Sequence, residues 1–162
     1  MEDAIKNFPK QFEYEPQIRG GGLDVGSWSR FVVGAMGGSA LAADILRFSD
    51  PHLNLIVHRD YGLHASIRDR LFIACSYSGN TEEVLDFYKE AKSKNLPLVA
   101  ISIGGKLLEL AVRQRTPYIQ LPNTGIQPRM ATGFMIKALL ALASPIRDRA
   151  SKEISKLSVS PA

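Results

Sequence analysis

Three hydroxyl side chains lie close together in the sequence where an apolar run ends. The stretch SYSGNTEE (76–83) directly follows the apolar run RLFIAC and places Ser76, Ser78 and Thr81 on a turn that opens a helix. Hydroxyls, backbone N–H groups and the positive end of a helix dipole can together bind a phosphate without any lysine. The stretch therefore predicts a phosphate-binding loop.

A purely structural role would explain part of the same stretch. Asn80 is a favourable helix N-cap, and Glu83 lies three residues later as its capping-box partner. Capping leaves Ser76 and Ser78 unexplained, so phosphate binding is favoured. Glu82 and Glu83 fall in the first helical turn, where their charge would compete with a phosphate, so they must point away or be neutralised.

A second candidate loop, GAMGGSA (34–40), joins an apolar run to a helix. Gly37 and Gly38 let the backbone approach a ligand closely, and the helix that starts near Ser39 offers unpaired N–H groups. The dinucleotide-binding pattern fails because position 36 is methionine, and the P-loop pattern fails because Gly-Lys-Ser/Thr is missing. A tight turn that needs glycine only for its geometry is an equal alternative.

A third candidate loop, NTGIQPRMATG (123–133), carries Arg129 just after Pro128 and just before a very apolar helix. Such an arginine could contact an anionic ligand or a developing oxyanion. On spacing alone, a surface arginine or a salt bridge explains Arg129 slightly better. Its role stays open at the level of residue pattern.

Short apolar runs rich in Val, Ile and Leu alternate with helical patterns along the chain. The predicted strands are 30–35, 53–58, 70–76, 96–103 and 117–121. The predicted helices are 39–48, 81–94, 106–114 and 131–143. Nearly continuous apolar runs are typical of parallel strands buried on both faces, so the alternation predicts an α/β fold, a three-layer αβα sandwich. Ligands bind beyond the carboxyl ends of such strands, where the three loops are expected.

The helical patterns also predict which side chains are buried. Leu41, Ile45 and Phe48 share one face of the first helix. In the second helix, the residues predicted to point inward are Val84, Phe87, Tyr88 and Ala91. The helix over 131–143 is apolar nearly all round, which predicts burial in the core or in an interface between copies of the chain. We therefore expect a homo-oligomer.

The chain length suits one domain with flanking segments. We expect a helical arm over 1–22, the domain over 23–145 and a polar carboxyl-terminal tail over 146–162. Hydrophobic residues make up 45% of the chain and charged residues 22%, and the formal net charge is +4. This is the composition of an ordinary globular protein.

Several classes of partner are not expected. Basic residues are scattered and do not interleave with aromatic residues, so no nucleic-acid partner is predicted. No apolar run reaches the roughly 20 residues that span a bilayer, and no signal peptide is recognisable, so no membrane partner is predicted. Cys75 is the single cysteine and is predicted to be a buried free thiol, which fits a cytoplasmic protein. No metal-ligand spacing occurs, so neither a metal nor a cofactor is predicted.

Four short motifs together resemble a known family. MGGSA, SYSGNTEE, AISIGGKL and PRMA, in this order and spacing, look like the amino-terminal half of the bifunctional phosphoglucose/phosphomannose isomerases, which contain sugar isomerase (SIS) domains. The resemblance covers about residues 28–143. It implies a flavodoxin-like sheet of five parallel strands and a phosphorylated sugar, a hexose 6-phosphate, as ligand.

The resemblance also implies roles for individual residues. The residues that would hold the phosphate are Ser76, Ser78 and Thr81. The residues that would touch the sugar are Gly38 and Ser39. Arg129 would lie near C1 and C2 of the sugar and stabilise the enediolate of an aldose–ketose isomerisation.

The match stops short of a whole enzyme. The isomerases of this family are about twice as long, and their glutamate base and ring-opening histidine lie in a second SIS domain. We expect no counterpart of these residues here; His58 is the histidine best placed to face the crevice, but a catalytic role for it is not favoured. Two alternatives stay open: a non-catalytic phosphosugar-binding or regulatory module, and a single-domain enzyme resembling 6-phospho-3-hexuloisomerase.

Overall fold

The computed structural model describes residues 5–63 and 69–143 and contains a six-stranded sheet. The strands are β1 (Ile18–Arg19), β2 (Arg30–Gly34), β3 (Asn54–His58), β4 (Leu71–Cys75), β5 (Leu98–Ser102) and β6 (Tyr118–Gln120). Their spatial order is β1-β6-β5-β4-β2-β3. Every neighbouring pair is parallel except β1 and β6, which are antiparallel.

Helices follow the parallel strands, as the alternating pattern predicts. The α-helices are α1 (Gly37–Ser49), α2 (Glu82–Ser93), α3 (Gly105–Arg113) and α4 (Thr132–Leu142). Short 3-10 helices cover Phe8–Glu13, Val25–Ser27 and Pro128–Met130. All five predicted strands and all four predicted helices are present, and the α/β class is confirmed.

The strand number of five is wrong for the sheet as a whole. The sequence predicts a helical arm over 1–22; in the described part of this segment Ile5 and Lys6 are helical, Phe8–Glu13 is a 3-10 helix, and strand β1 follows. Ile18 pairs with Ile119 and Arg19 with Tyr118, so the segment adds an antiparallel strand to the edge. Two residues are too few to show a strand periodicity, and the open edge of β6 supplies the hydrogen-bonding partners that make them a strand.

The sheet is buried on both faces by apolar side chains. Successive residues of a strand point to opposite faces, so Phe31 and Ile73 pack in one cluster with residues of α1 and α4. Val32 and Phe72 pack in a second cluster with residues of α2 and α3. This double burial explains why the strands read as continuous apolar runs.

The apolar face of α1 points outward. Leu41, Ile45 and Phe48 are 44%, 37% and 89% exposed. The buried residues of α1 are Ser39, Ala40, Ala42, Ala43 and Leu46. Helix α1 therefore approaches the sheet and α4 through mainly small side chains, and its larger apolar residues form a stripe on the outside.

The predictions of burial for α2 and α4 hold. The residues of α2 predicted to point inward, Val84, Phe87, Tyr88 and Ala91, are all buried. Helix α4 lies in the core, where it packs against α1 and the 3-10 helix Phe8–Glu13. The predicted tail over 146–162 lies outside the described residues. Within 5–63 and 69–143, no helix is long and apolar enough to cross a membrane.

Candidate functional site

The predicted phosphate loop is held in shape by its own hydroxyl groups. We call residues 76–81 the hydroxyl loop. The Ser76 and Thr81 hydroxyl oxygens are 2.8 Å apart and hydrogen-bonded to each other. Ser76 Oγ also accepts a hydrogen bond from the Gly79 N–H at 3.1 Å, and Ser78 Oγ accepts one from the Asn80 N–H at 3.3 Å. Ser76 is only 2% exposed, whereas Ser78 is exposed to solvent.

The hydroxyl loop is packed tightly against the loop that follows β5. Gly79 has φ +74°, and a Cβ atom there would overlap the Gly104 carbonyl oxygen. Gly105 has φ +68°, and a Cβ atom there would lie 2.5 Å from the Ser78 carbonyl oxygen. Both positions need the left-handed conformation and the absence of a side chain, which only glycine combines. The two loops consequently form one interlocked unit.

Asn80 has a different structural role from the predicted one. The N-cap of α2 is Thr81, and no side chain of residues 5–63 or 69–143 caps that helix. Asn80 Oδ1 accepts a hydrogen bond from the Lys106 N–H at 3.1 Å, and the Gly79 carbonyl accepts one from the Leu107 N–H at 2.9 Å. The hydroxyl loop thus caps α3, the next helix, because the interlock brings Asn80 over the first turn of that helix.

In the part of the chain that the structure describes, the amino terminus of α2 is therefore left without a capping side chain. The first four N–H groups of an α-helix have no partner within the helix and point outward from its start. Ser78 is exposed and Thr81 half-buried beside these groups. Glu82 extends to the segment after β3, where its carboxylate is 3.5 Å from the Tyr61 hydroxyl. Burial and the charges of Glu83 and Glu82 raise the pKa of Tyr61.

The start of α1 lies next to the hydroxyl loop. Ser39 Oγ accepts a hydrogen bond from the Tyr77 N–H at 3.1 Å, so the buried Ser39 joins the two segments. Gly38 lies against the arginine turn, Pro128–Met130: a Cβ atom at Gly38 would be 2.7 Å from both Cα and N of Arg129. The Arg129 side chain is exposed, and its carbonyl accepts a hydrogen bond from the Thr132 hydroxyl at 2.9 Å.

These contacts bring all six predicted site residues to the carboxyl ends of the parallel strands. The hydroxyl loop follows β4, Gly38 and Ser39 begin the helix after β2, and Arg129 lies in the connection after β6. The six residues do not all present a side chain to solvent. Ser39 and Ser76 are buried and hold loops together, whereas Ser78 and Arg129 are exposed.

The sequence prediction missed two features of this region. The first is the interlock of the hydroxyl loop with residues 102–105, where Ser102 Oγ accepts the Gly104 N–H at 2.9 Å. The paired glycines of SIGGK were a signal for it, since adjacent glycines often mark close backbone contact. The second is Gln11, which is far away in sequence and contacts the arginine turn. Nothing local to Gln11 indicated that contact.

Two other reactive residues are not placed for chemistry at this site. His58 is buried, and its ring centroid lies 5.6 Å from that of Phe87 beneath α2. Cys75 is fully buried, and this burial raises the pKa of its thiol to about 12. Among residues 5–63 and 69–143, no three His, Cys, Asp or Glu side chains form a group that could hold a metal ion.

Comparisons with known proteins by sequence and by structure agree with each other. No protein-family model matches the chain. A bifunctional phosphoglucose/phosphomannose isomerase from Caldicellulosiruptor bescii is 35% identical over 172 residues, covering 98% of this chain and 50% of the relative. A protein of the same name from Pyrobaculum calidifontis is 38% identical over 134 residues, covering 80% of this chain and 42% of the relative.

A solved structure supports the fold. The sugar isomerase domain of an RpiR transcription factor from Sphaerobacter thermophilus superposes with a TM-score of 0.54 at 16% identity, covering 96% of this chain and 95% of that one. The chain spans about half the length of the curated relatives it matches. By sequence the chain is a homologue of the bifunctional phosphoglucose/phosphomannose isomerases over about half of their length, and its fold is that of the sugar isomerase domain of the solved structure.

Proposed function

We propose that this domain binds a hexose 6-phosphate for an aldose–ketose isomerisation that passes through an enediol. The observation that carries the proposal is the geometry around the hydroxyl loop. An uncapped helix start and two solvent-accessible hydroxyl side chains lie beside the start of α1 and the arginine turn. The relatives' name, phosphoglucose/phosphomannose isomerase, points to the same class of ligand.

In this proposal the phosphate binds at the amino terminus of α2. Ser78 and Thr81 donate hydrogen bonds to phosphate oxygens, together with the free N–H groups of the first turn. Ser76 holds Thr81 in place through the 2.8 Å contact of their hydroxyl groups. A dianionic phosphate gains most from such charge-assisted hydrogen bonds because they are stronger than neutral ones.

The sugar would extend from the phosphate toward Gly38, Ser39 and Arg129. Gly38 carries no side chain, which lets the arginine turn lie directly against it and holds Arg129 beside the start of α1. The Arg129 guanidinium would stabilise the negative charge that develops on the enediolate oxygen. Arginine suits this task because it stays protonated at all relevant pH values.

Proton transfer between C1 and C2 also needs a base. His58 and Cys75 are buried away from the site, and Glu82 extends toward Tyr61. We propose that the base and the group that opens the sugar ring come from a second domain, since the relatives are about twice the length of this chain. A second copy of the chain, or a longer polypeptide, could supply that domain.

Self-association is part of the proposal. The stripe of Leu41, Ile45 and Phe48 on α1 exposes large apolar side chains on one helix face, which is characteristic of an interface. Helix α4, the original reason for expecting an oligomer, is instead covered within the domain. We therefore assign the interface of a homo-oligomer, or of a second SIS domain, to α1.

The finer description of the fold belongs to the same proposal. We propose a three-layer sandwich in which the five parallel strands have the flavodoxin-like order, with the domain over 23–145 and the segment before it packed on its edge. Helices on both faces of the sheet support the layers.

A buried free thiol at Cys75 supports a cytoplasmic location, because reducing compartments keep such thiols unpaired.

Proton NMR of fructose 6-phosphate with the chain in D₂O tests the function. Deuterium entering the sugar at C1, or formation of glucose or mannose 6-phosphate, would mean that copies of this chain supply a complete site. Broadened sugar signals without exchange would mean binding alone, with the base elsewhere. Sharp sugar signals at millimolar protein, in the absence of any turnover, would refute the proposed ligand class.

A further inference from the structure

Gln11 is a buried polar residue in an otherwise exposed segment. It is 4% exposed, whereas most of the 3-10 helix Phe8–Glu13 around it faces solvent. Its side-chain amide donates a hydrogen bond from Nε2 to the Met130 carbonyl at 2.6 Å, and its Oε1 accepts one from the Phe134 N–H at 3.3 Å. One side chain thus bridges the end of the arginine turn and the first turn of α4.

The fit around Gln11 depends on a glycine. A Cβ atom at Gly133 would lie 2.8 Å from Gln11 Cβ and 2.9 Å from Gln11 Oε1, so any other residue there would displace the amide. On its opposite side the arginine turn lies directly against Gly38. The turn that carries Arg129 is therefore held between two close contacts, one with Gly38 and one with Gln11.

We propose that Gln11 is a positioning residue for Arg129, a role that rests on the proposed function of Arg129 toward the sugar. The Met130 carbonyl belongs to the residue next to Arg129, so the 2.6 Å hydrogen bond fixes the backbone from which the guanidinium extends. Without it, the turn keeps its contact with Gly38 and its local hydrogen bonds, such as those from the Met130 N–H to the Gln127 carbonyl at 2.8 Å and from the Thr132 hydroxyl to the Arg129 carbonyl at 2.9 Å.

The attachment of the amino-terminal segment does not depend on Gln11 alone. The Tyr14 hydroxyl donates to the Gln120 carbonyl at 2.9 Å, and the Tyr14 ring packs edge-on against Phe134. Lys137 forms an ion pair with Glu15 at 3.1 Å. These contacts attach the segment to the domain at points outside the arginine turn. Gln11 is the residue that links the segment to that turn.

The experiment compares two ligands, of which only one would reach Arg129. Inorganic phosphate would touch only the phosphate end of the site, whereas fructose 6-phosphate would also reach Arg129. Gln11→Leu removes both hydrogen bonds at similar volume, and Gln11→Glu keeps the acceptor for Phe134 but loses the donor to Met130. Tyr14→Phe is the matched control, since it removes one side-chain hydrogen bond of the same segment elsewhere.

Both Gln11 variants are expected to weaken fructose 6-phosphate binding roughly tenfold, the scale of a lost hydrogen bond to a charged group, with little change for inorganic phosphate. Tyr14→Phe should leave both affinities unchanged. Arg129→Ala should cause a similar selective loss, and Gln11→Leu added to it should cause no further loss. Equal losses for both ligands, no loss, or additive losses in the double variant would overturn the proposal.

Hydrogen exchange of the Phe134 amide, whose N–H donates to Gln11, separates this proposal from the proposed function. Gln11→Leu should speed exchange at this amide, whereas Tyr14→Phe should not. If the wild-type chain bound neither ligand, the proposed function would fail and Gln11 could not position Arg129 for a sugar. If the wild-type chain bound both ligands but exchange were unchanged in Gln11→Leu, the positioning role alone would fail.

Discussion

The side-chain oxygen of Asn80 accepts a hydrogen bond from the Lys106 N–H at 3.1 Å. The residue that precedes one helix therefore caps the next helix along the chain. This leaves the start of α2 open toward solvent, which is where we propose that the phosphate binds. A local capping box would have closed that position with a carboxylate.

Replacing Asn80 separates the capping role from ligand binding. Asn80→Ala should lower the free energy of unfolding by about 1 kcal/mol, the usual scale for the loss of a cap. Asn80→Asp keeps an acceptor for the Lys106 N–H and should retain that stability, but its charge should weaken phosphate binding. Urea denaturation and phosphate titration of the two variants check this; equal stability of Asn80→Ala and wild type would contradict the capping role.

The hydroxyl groups of Ser78 and Thr81 should affect ligand binding more than the free energy of unfolding. Replacing Ser78 and Thr81 together by alanine should weaken fructose 6-phosphate binding by roughly 1–3 kcal/mol, because hydrogen bonds to a charged group are lost. Stability should change much less. Isothermal titration calorimetry measures the affinity, and Ser93→Ala at the far end of α2 is the control. An unchanged affinity in the double variant would remove the loop from the site.

The interlock of the two loops predicts a large difference between two glycine substitutions. Gly79→Ala should lower the free energy of unfolding by at least about 2 kcal/mol, because the left-handed backbone is strained and the new Cβ atom overlaps the Gly104 carbonyl. Gly125→Ala is the matched control, since Gly125 has φ +71° with nothing within 4 Å. It should cost only about 1 kcal/mol. Equal costs in thermal denaturation would argue against the interlock.

Because the Cys75 thiol is buried, the free energy of unfolding should change with pH in the alkaline range. Burial raises the pKa of Cys75 from 9.0 to about 12, so the unfolded chain releases the proton at lower pH than the folded chain. The contribution of the protonated thiol to the free energy of unfolding is complete below about pH 9. It decreases by about 1.4 kcal/mol per pH unit up to about pH 12. Urea denaturation of Cys75→Ala should lack this component. A thiol reagent that labels the native wild type rapidly would contradict the burial.

The apolar stripe on α1 predicts the site of self-association. Phe48→Glu should convert an oligomer to a monomer in light scattering after gel filtration, because a charge would be buried in an apolar interface. Val112→Glu is the control, as Val112 is 55% exposed on α3. Dissociation by Val112→Glu, or a monomeric wild type at high concentration, would count against this surface.

The sequence predicted where the candidate site residues lie better than it predicted the contacts between them. Hydroxyl groups after one strand, glycines after another and an arginine before an apolar helix were sufficient to place Gly38, Ser76 and Arg129 at the same edge of a parallel sheet. That step works because the carboxyl ends of parallel strands necessarily meet at one edge. The pattern could not show that Ser76 is buried or that Asn80 bonds across to α3.

By itself the sequence determined the class of the fold, the parallel strands and helices in their order, and the loops that reach the candidate site. These features follow from the apolar periodicity and the positions of the glycines, which can be read from residues close together in the sequence. The tertiary structure alone decided the edge strand Ile18–Arg19, the outward face of α1 and the contact of Gln11 with Met130. Each depends on a partner far away along the chain: an open strand edge, a close helix packed through alanines, and a glycine at position 133 that admits a distant side chain.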